Sequence, residues 1–236
     1  MTAINPTNAC FECNVLNNPR MKRVAESFSW PFQGPWKATW LPGLVAVLFL
    51  PIAFIPLLGY AIAATRSAEV DTALGPPRWV FSIRLLWDGA WTALAIALFT
   101  APFALAFNPL ADLLFGSHVW TGNDEAVSQL YAHVAAAFIL ALPWGLLFLL
   151  HMPHATARFA HTARWDDLFD LAQSIREVTR DFATWNLAAA AIVTAWAVGL
   201  ACAGLLCVGI VPGVFYAILV SAHASAALHK RPRSAQ

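Results

Sequence analysis

Apolar and polar positions fall into long blocks along this chain. Charge-free runs extend from Ala38 to Thr65, Gly89 to Ala111, Ala126 to Ala157 and Phe182 to His229. About 20 apolar residues in a helix span the roughly 30 Å hydrocarbon core of a bilayer, so the second and third runs each fit one crossing. The fourth, 48 residues, would reach roughly 70 Å as one helix and must fold back. Its natural break is Cys207-Val208-Gly209-Ile210-Val211-Pro212-Gly213, where Pro removes a backbone donor and Gly relaxes the chain. That predicts helices over about 184–206 and 210–228. The first run contains Pro42, Pro51 and Pro56. Two readings stay open for it: a single kinked crossing, or a hairpin that enters and leaves on the same side.

A different period appears in 164–185. Leu168, Leu171, Ile175, Val178, Phe182 and Trp185 recur at spacings of three and four, with Asp166, Asp170, Gln173, Glu177 and Arg180 opposite. This predicts an amphipathic interfacial helix. Trp30, Trp36, Trp40, Trp79, Trp87 and Trp120 lie near the ends of apolar runs, where indole prefers the headgroup region. The fold class is thus all-α: a polytopic transmembrane helical bundle with Pro/Gly-broken hairpins and an interfacial amphipathic helix.

Composition agrees. Of 236 residues, 59% are hydrophobic and 11% charged, against about 25% charged in soluble domains; mean hydropathy is +0.62. The net charge of +1 leaves no electrostatic footprint for nucleic acid. The stretch before Ala38 has no apolar h-region, so a cleavable signal peptide is not expected. Arg20, Lys22, Arg23 and Lys37 precede the first run, and Arg66, Arg78 and Arg84 follow it. Arg158, Arg164, Arg176 and Arg180 follow the third run, and Lys230, Arg231 and Arg233 close the chain, whereas 108–130 holds acids but no Lys or Arg. The positive-inside rule places the basic segments and the C-terminus in the cytoplasm. That requires an even number of crossings, or none, in the first run, and so favours re-entry.

An internal comparison leads the same way. Shifted by 156 positions, 40–62 aligns on 196–218 with eight identities in 23, among them Trp40/Trp196, Gly43/Gly199, Pro56/Pro212 and Tyr60/Tyr216. The alignment reads as a parallel repeat of helix, break and helix.

Candidate chemistry is sparse. Cys10 and Cys13 form one C-x-x-C; a structural zinc site takes four ligands, so this pair would need another subunit to complete it. Cys202 and Cys207 read as small core residues. His151 and His154 could share a helix face as metal ligands, although Pro153 stands between them. The plainer reading makes them polar markers of the water interface, as for His133. His223 lies inside the last apolar helix and could serve as an axial ligand to haem or a pigment; helix–helix hydrogen bonding is its plainer role. Asp88 follows Arg84 by four residues, a spacing that suits an ion pair. No G-x-S-x-G, Walker loop or H-E-x-x-H occurs, so nothing motivates an enzyme.

Trp36-Lys37, Gly43, Gly59-Tyr60, Pro77-x-Trp79, Asp88-Gly89 and a closing Gly209-x-x-Pro212-x3-Tyr216-x4-Ser221-Ala222-His223 carry a likeness to a known family. From Trp36 to about residue 228 the chain resembles the bacterial and archaeal membrane family called domain of unknown function 4013. The resemblance implies a helical bundle in the cell membrane and names no activity. It divides the chain into a polar N-terminal arm (1–35), a transmembrane domain (36–228) and a basic tail (229–236). The expected role is non-enzymatic: an accessory or scaffolding subunit whose partners are the bilayer, other membrane subunits or a second copy. The alternatives are a transporter or channel component for a small or lipidic solute, and a haem- or pigment-binding subunit.

Overall fold

The computed structural model describes residues 19–71, 75–116, 125–204 and 209–229. Among these are eight α-helices and no strand: α1 (Pro19–Glu26), α2 (Trp36–Leu48), α3 (Leu50–Val70), α4 (Ile83–Gly116), α5 (Glu125–Thr162), α6 (Leu171–Arg180), α7 (Phe182–Ala201) and α8 (Ile210–Ala226). α3, α4, α5 and α7 are long and apolar enough to cross a membrane, and α8 is a shorter apolar helix.

The first apolar run resolves into a hairpin. α2 and α3 meet at Phe49 (φ −97°, ψ 33°), and Pro51 starts α3, where its missing N–H costs nothing. Thr39 and Tyr60 lie on opposite sides of that break and would stand roughly 30 Å apart in a straight helix. Instead both hydroxyls reach one carbonyl: Pro77 O accepts from Tyr60 at 2.8 Å and from Thr39 at 3.4 Å. The chain therefore turns back at Phe49, about 20 Å from Trp36 along α2, too shallow to cross a whole bilayer. Leu48, Phe49 and Ile52 at the turn are exposed. The first apolar run is thus a helical hairpin rather than one straight helix, and its second arm, α3, is itself long enough to span a bilayer.

Aromatic packing holds the hairpin in place. Trp79 stacks on Tyr60 with centroids 4.1 Å apart and planes 3° from parallel, and its indole donates to Thr39 O at 3.1 Å. Phe215 of α8 is fully buried, edge-on to Trp40 and stacked beside Tyr60. It fills the space that a side chain at Gly43 would need.

α7 and α8 form the second hairpin, with Gly199 and Gly213 so close that a Cβ on Gly199 would lie 2.6 Å from Gly213 O. Of the two aligned segments, 40–62 spans α2, the turn at Phe49 and α3, while the described part of 196–218 holds the end of α7, a 3-10 turn at Cys202–Gly204 and the start of α8. The partners of their matching tyrosines differ: Tyr216 donates to Phe28 O at 3.1 Å.

Where the sequence predicts one amphipathic helix over 164–185, the chain is segmented. A 3-10 turn covers Trp165–Leu168, and α6 starts only after Asp170, whose carboxylate accepts from Gln173 N at 2.8 Å. That cap begins a new helix, and Asp181 (φ −138°, ψ 57°) separates α6 from α7. Ser174 and Val178 face the bundle, while Ile175 and Phe182 are exposed. The described part of the N-terminal arm is not free either: Val24, Ser27 and Trp30 are buried against α7 and α8.

Asp88 corrects a second expectation. It is 4% exposed and pairs across helices with Arg66 of α3 at 3.1 Å, while Arg84 is exposed. The i,i+4 spacing allowed the local pair, but Asp88 lies on the face of α4 packed against α3, and the cation comes from there. Arg84→Gln is therefore expected to leave stability within about 0.5 kcal/mol of the parent. A larger loss on thermal unfolding in detergent would return Asp88 to Arg84.

Candidate functional site

The last turns of α5 carry His151, His154, Arg158 and His161 at spacings of three, four and three, which places them along one helix face. Opposite them α6 presents Ser174 and Glu177. The two stripes meet in a polar cluster at the end of an apolar helix. His151 and Arg158 are 1% and 5% exposed.

The bonding pattern is dense. His151 Nε2 donates to Leu168 O at 2.8 Å, and a carbonyl can only accept, so that nitrogen carries the hydrogen; Nδ1 lies 3.0 Å from Ser174 Oγ. Glu177 Oε2 accepts from Arg158 Nη1 at 2.8 Å and from His154 Nδ1 at 3.1 Å, and Oε1 accepts from Gln173 Nε2 at 3.2 Å. Arg158 Nη2 donates to Asp167 O, Asp170 O and Ser174 Oγ at 3.0–3.2 Å. One guanidinium thus ties the 3-10 turn and the first turn of α6 to α5. Pro153 adds a second link: lacking an N–H, it leaves Leu149 O without its helical donor, and Trp185 Nε1 of α7 reaches that oxygen at 3.3 Å.

Burial alone would push the Glu177 carboxyl up, but hydrogen bonds from His154 and Gln173 and the charge of Arg158 outweigh it and hold it at about 2, against an ordinary 4.5. A lowered folded value favours the ionised group in the native state, so its stabilisation is complete above pH 4.5 and is lost as pH falls toward about 2. The loss amounts to no more than about 3 kcal/mol at 1.36 kcal/mol per unit. Acid titration of thermal stability is expected to show this phase in the parent and not in Glu177→Gln. An acid limb unchanged by the substitution would remove Glu177 from it.

The histidines at 151 and 154 are buried and bound to α6 and the turn before it. His223 is fully buried, with Nδ1 2.8 Å from Ser27 Oγ and the Trp30 ring 5.0 Å away. It joins α8 to the segment after α1. His133 donates to Gln129 O one turn back. Cys10, Cys13 and Cys207 lie outside the described residues, and Cys202 is a half-buried free thiol. Among the described residues no three His, Cys, Asp or Glu groups form a metal-ligating set. Sequence reasoning missed Arg158 and Glu177, having assigned one to the positive-inside count and the other to a solvent face. The 3-4-3 spacing of the His/Arg stripe, matched to the polar positions of α6, was the available signal.

The cluster works as a clamp that joins α6 to α5. The family described as protein of unknown function (DUF4013) matches residues 43–221. No curated protein and no solved structure matches the chain.

Proposed function

The chain belongs to the family of proteins of unknown function DUF4013, and from that premise we propose that it is a non-enzymatic membrane protein serving as an accessory or scaffolding subunit. One observation carries this reading. The most apolar stretches of α4 and α5 are only 11% and 6% buried, against 33% and 39% for those of α3 and α7. α4 and α5 pair with each other, as in the bond from Trp144 Nε1 to Thr100 Oγ1 at 3.1 Å, and form an apolar arm with little cover from the bundle. Leu105, Leu113, Phe138 and Leu142 are all more than two-thirds exposed on it. Such a surface serves lipid or a partner helix pair, packing chiefly by van der Waals contact. The arm, rather than α6 or residues 19–35, is the docking surface in this reading, because those segments are already packed.

Photo-crosslinking residues placed at Leu105 and Phe138 in native membranes test it. Both positions are expected to capture one stoichiometric membrane protein, either another subunit or a second copy of this chain. Capture of lipid alone would end the proposal.

The α2–α3 hairpin supports a second reading, a transport component, since broken helices at depth often line solute paths. Its polar groups Thr39 and Tyr60 are already bonded to Pro77 O, which leaves this reading behind the first. Solute flux in proteoliposomes would reverse the order. The pigment or haem reading stands behind both, since His223 Nδ1 lies 2.8 Å from Ser27 Oγ and its ring packs on Trp30.

A further inference from the structure

Beside the clamp, where α5, α6, α7 and the residues after α8 converge, lies a cavity of about 150 Å³ lined by His154, Arg158, Arg180, Thr184 and His229, among others. Its acids are already engaged. Glu177 accepts from three donors, and Asp181 has a partner of its own. The donors are in surplus. Arg180 is exposed and makes no ion pair among the described residues. Arg158 has a side chain only 7% exposed, yet its Nε–H has no hydrogen-bond partner. Buried polar atoms normally find one.

We propose that this cavity binds the phosphate group of an anionic ligand. Arg180 offers the forked donors that suit phosphate oxygens, and the Thr184 hydroxyl and His229 stand beside it. Arg158, whose Nε–H is unpartnered, also lines the cavity. Ala157 and Leu228 give the cavity apolar lining, which suits a lipid headgroup; a free phosphate compound offers the same chemistry. This site is independent of the docking role of the α4–α5 arm.

The test is thermal unfolding of the full chain in neutral detergent, with two probes. One arm titrates inorganic phosphate against chloride at equal ionic strength. The other titrates phosphatidic acid against phosphatidylcholine. A saturable rise of about 5 °C or more is expected in at least one arm, lost in Arg180→Gln and in Thr184→Val while their unliganded midpoints stay near the parent's. A rise with phosphate assigns a soluble source, and a rise with phosphatidic acid alone assigns a headgroup. No saturable rise in either arm, or a rise that survives Arg180→Gln, overturns the proposal.

Discussion

Glu177→Gln is expected to destabilise the protein by about 3 kcal/mol, the lower end of the range for breaking a buried ion pair. The side chain keeps its volume and loses its charge. Arg158, 7% exposed in its side chain, would then hold an uncompensated cation, and His154 would lose its carboxylate. The estimate sits at the low end because the Glu177 side chain is 31% exposed, so water recovers part of the loss. For a domain of this size that amounts to a midpoint lowered by roughly 6–12 °C. Hydrogen exchange should rise first in α6, since Arg158 also holds Asp167 O and Asp170 O at its entrance. The double replacement Arg158→Met with Glu177→Met is expected to recover only part of the loss: an apolar pair leaves no buried charge, but Asp167 O and Asp170 O lose their donor. A loss under about 1 kcal/mol for Glu177→Gln would make the cluster an ordinary surface pair.

Gly89→Val is expected to cost at least about 3 kcal/mol, the upper end for overpacking, and to broaden the size-exclusion profile. α3 and α4 touch backbone to backbone here: a Cβ on Gly89 would fall on Ile55 O and lie 2.9 Å from Gly59 N. Gly59 makes the reciprocal contact with Leu85 O. Side-chain rotation cannot relieve a clash with a carbonyl, so the helices must separate. That would also pull Asp88 away from Arg66. Gly145 of α5 is the control, with nothing within 4 Å of an added Cβ; Gly145→Ala is expected to be neutral or to stabilise by up to about 1 kcal/mol. Equal tolerance at both glycines would mean that the α3–α4 contact is loose.

The two substitutions probe different levels of the same architecture. Gly89 sets how closely two helices approach within the apolar bundle, through the absence of a side chain. Glu177 sets whether a short amphipathic helix stays docked at the end of that bundle, through charge. The α4–α5 arm depends on neither beyond its first and last turns, so its docking role can be measured in variants that weaken α6.

Much of the fold was legible in residue order. The length of each charge-free run against the thickness of a bilayer identified α4, α5 and α7 as long enough to cross and required the fourth run to fold back, although Pro212 and Gly213, read as part of its break, lie in the first turn of α8. The basic residues around the first run favoured re-entry, and the Thr39–Pro77–Tyr60 geometry shows a hairpin there. Several residues carrying the family likeness are contact makers: Gly43 under Phe215, Gly59 against Leu85, and Tyr60 on Trp79. Their spacing hinted at that, because small residues in apolar helices serve close approach.

Partner choice was another matter. Asp88 had a cation four residues away in sequence and took one from α3; Glu177 looked like a solvent-face acid and became the centre of a buried cluster. His223 is bonded to Ser27, 196 residues away. Periodicity describes one helix against an undifferentiated surrounding, so by itself it separates apolar from polar faces and spanning from non-spanning lengths. Which polar face meets which depends on the rotation and approach of helices about one another. Close packing of many side chains at once sets those, and no single segment encodes them.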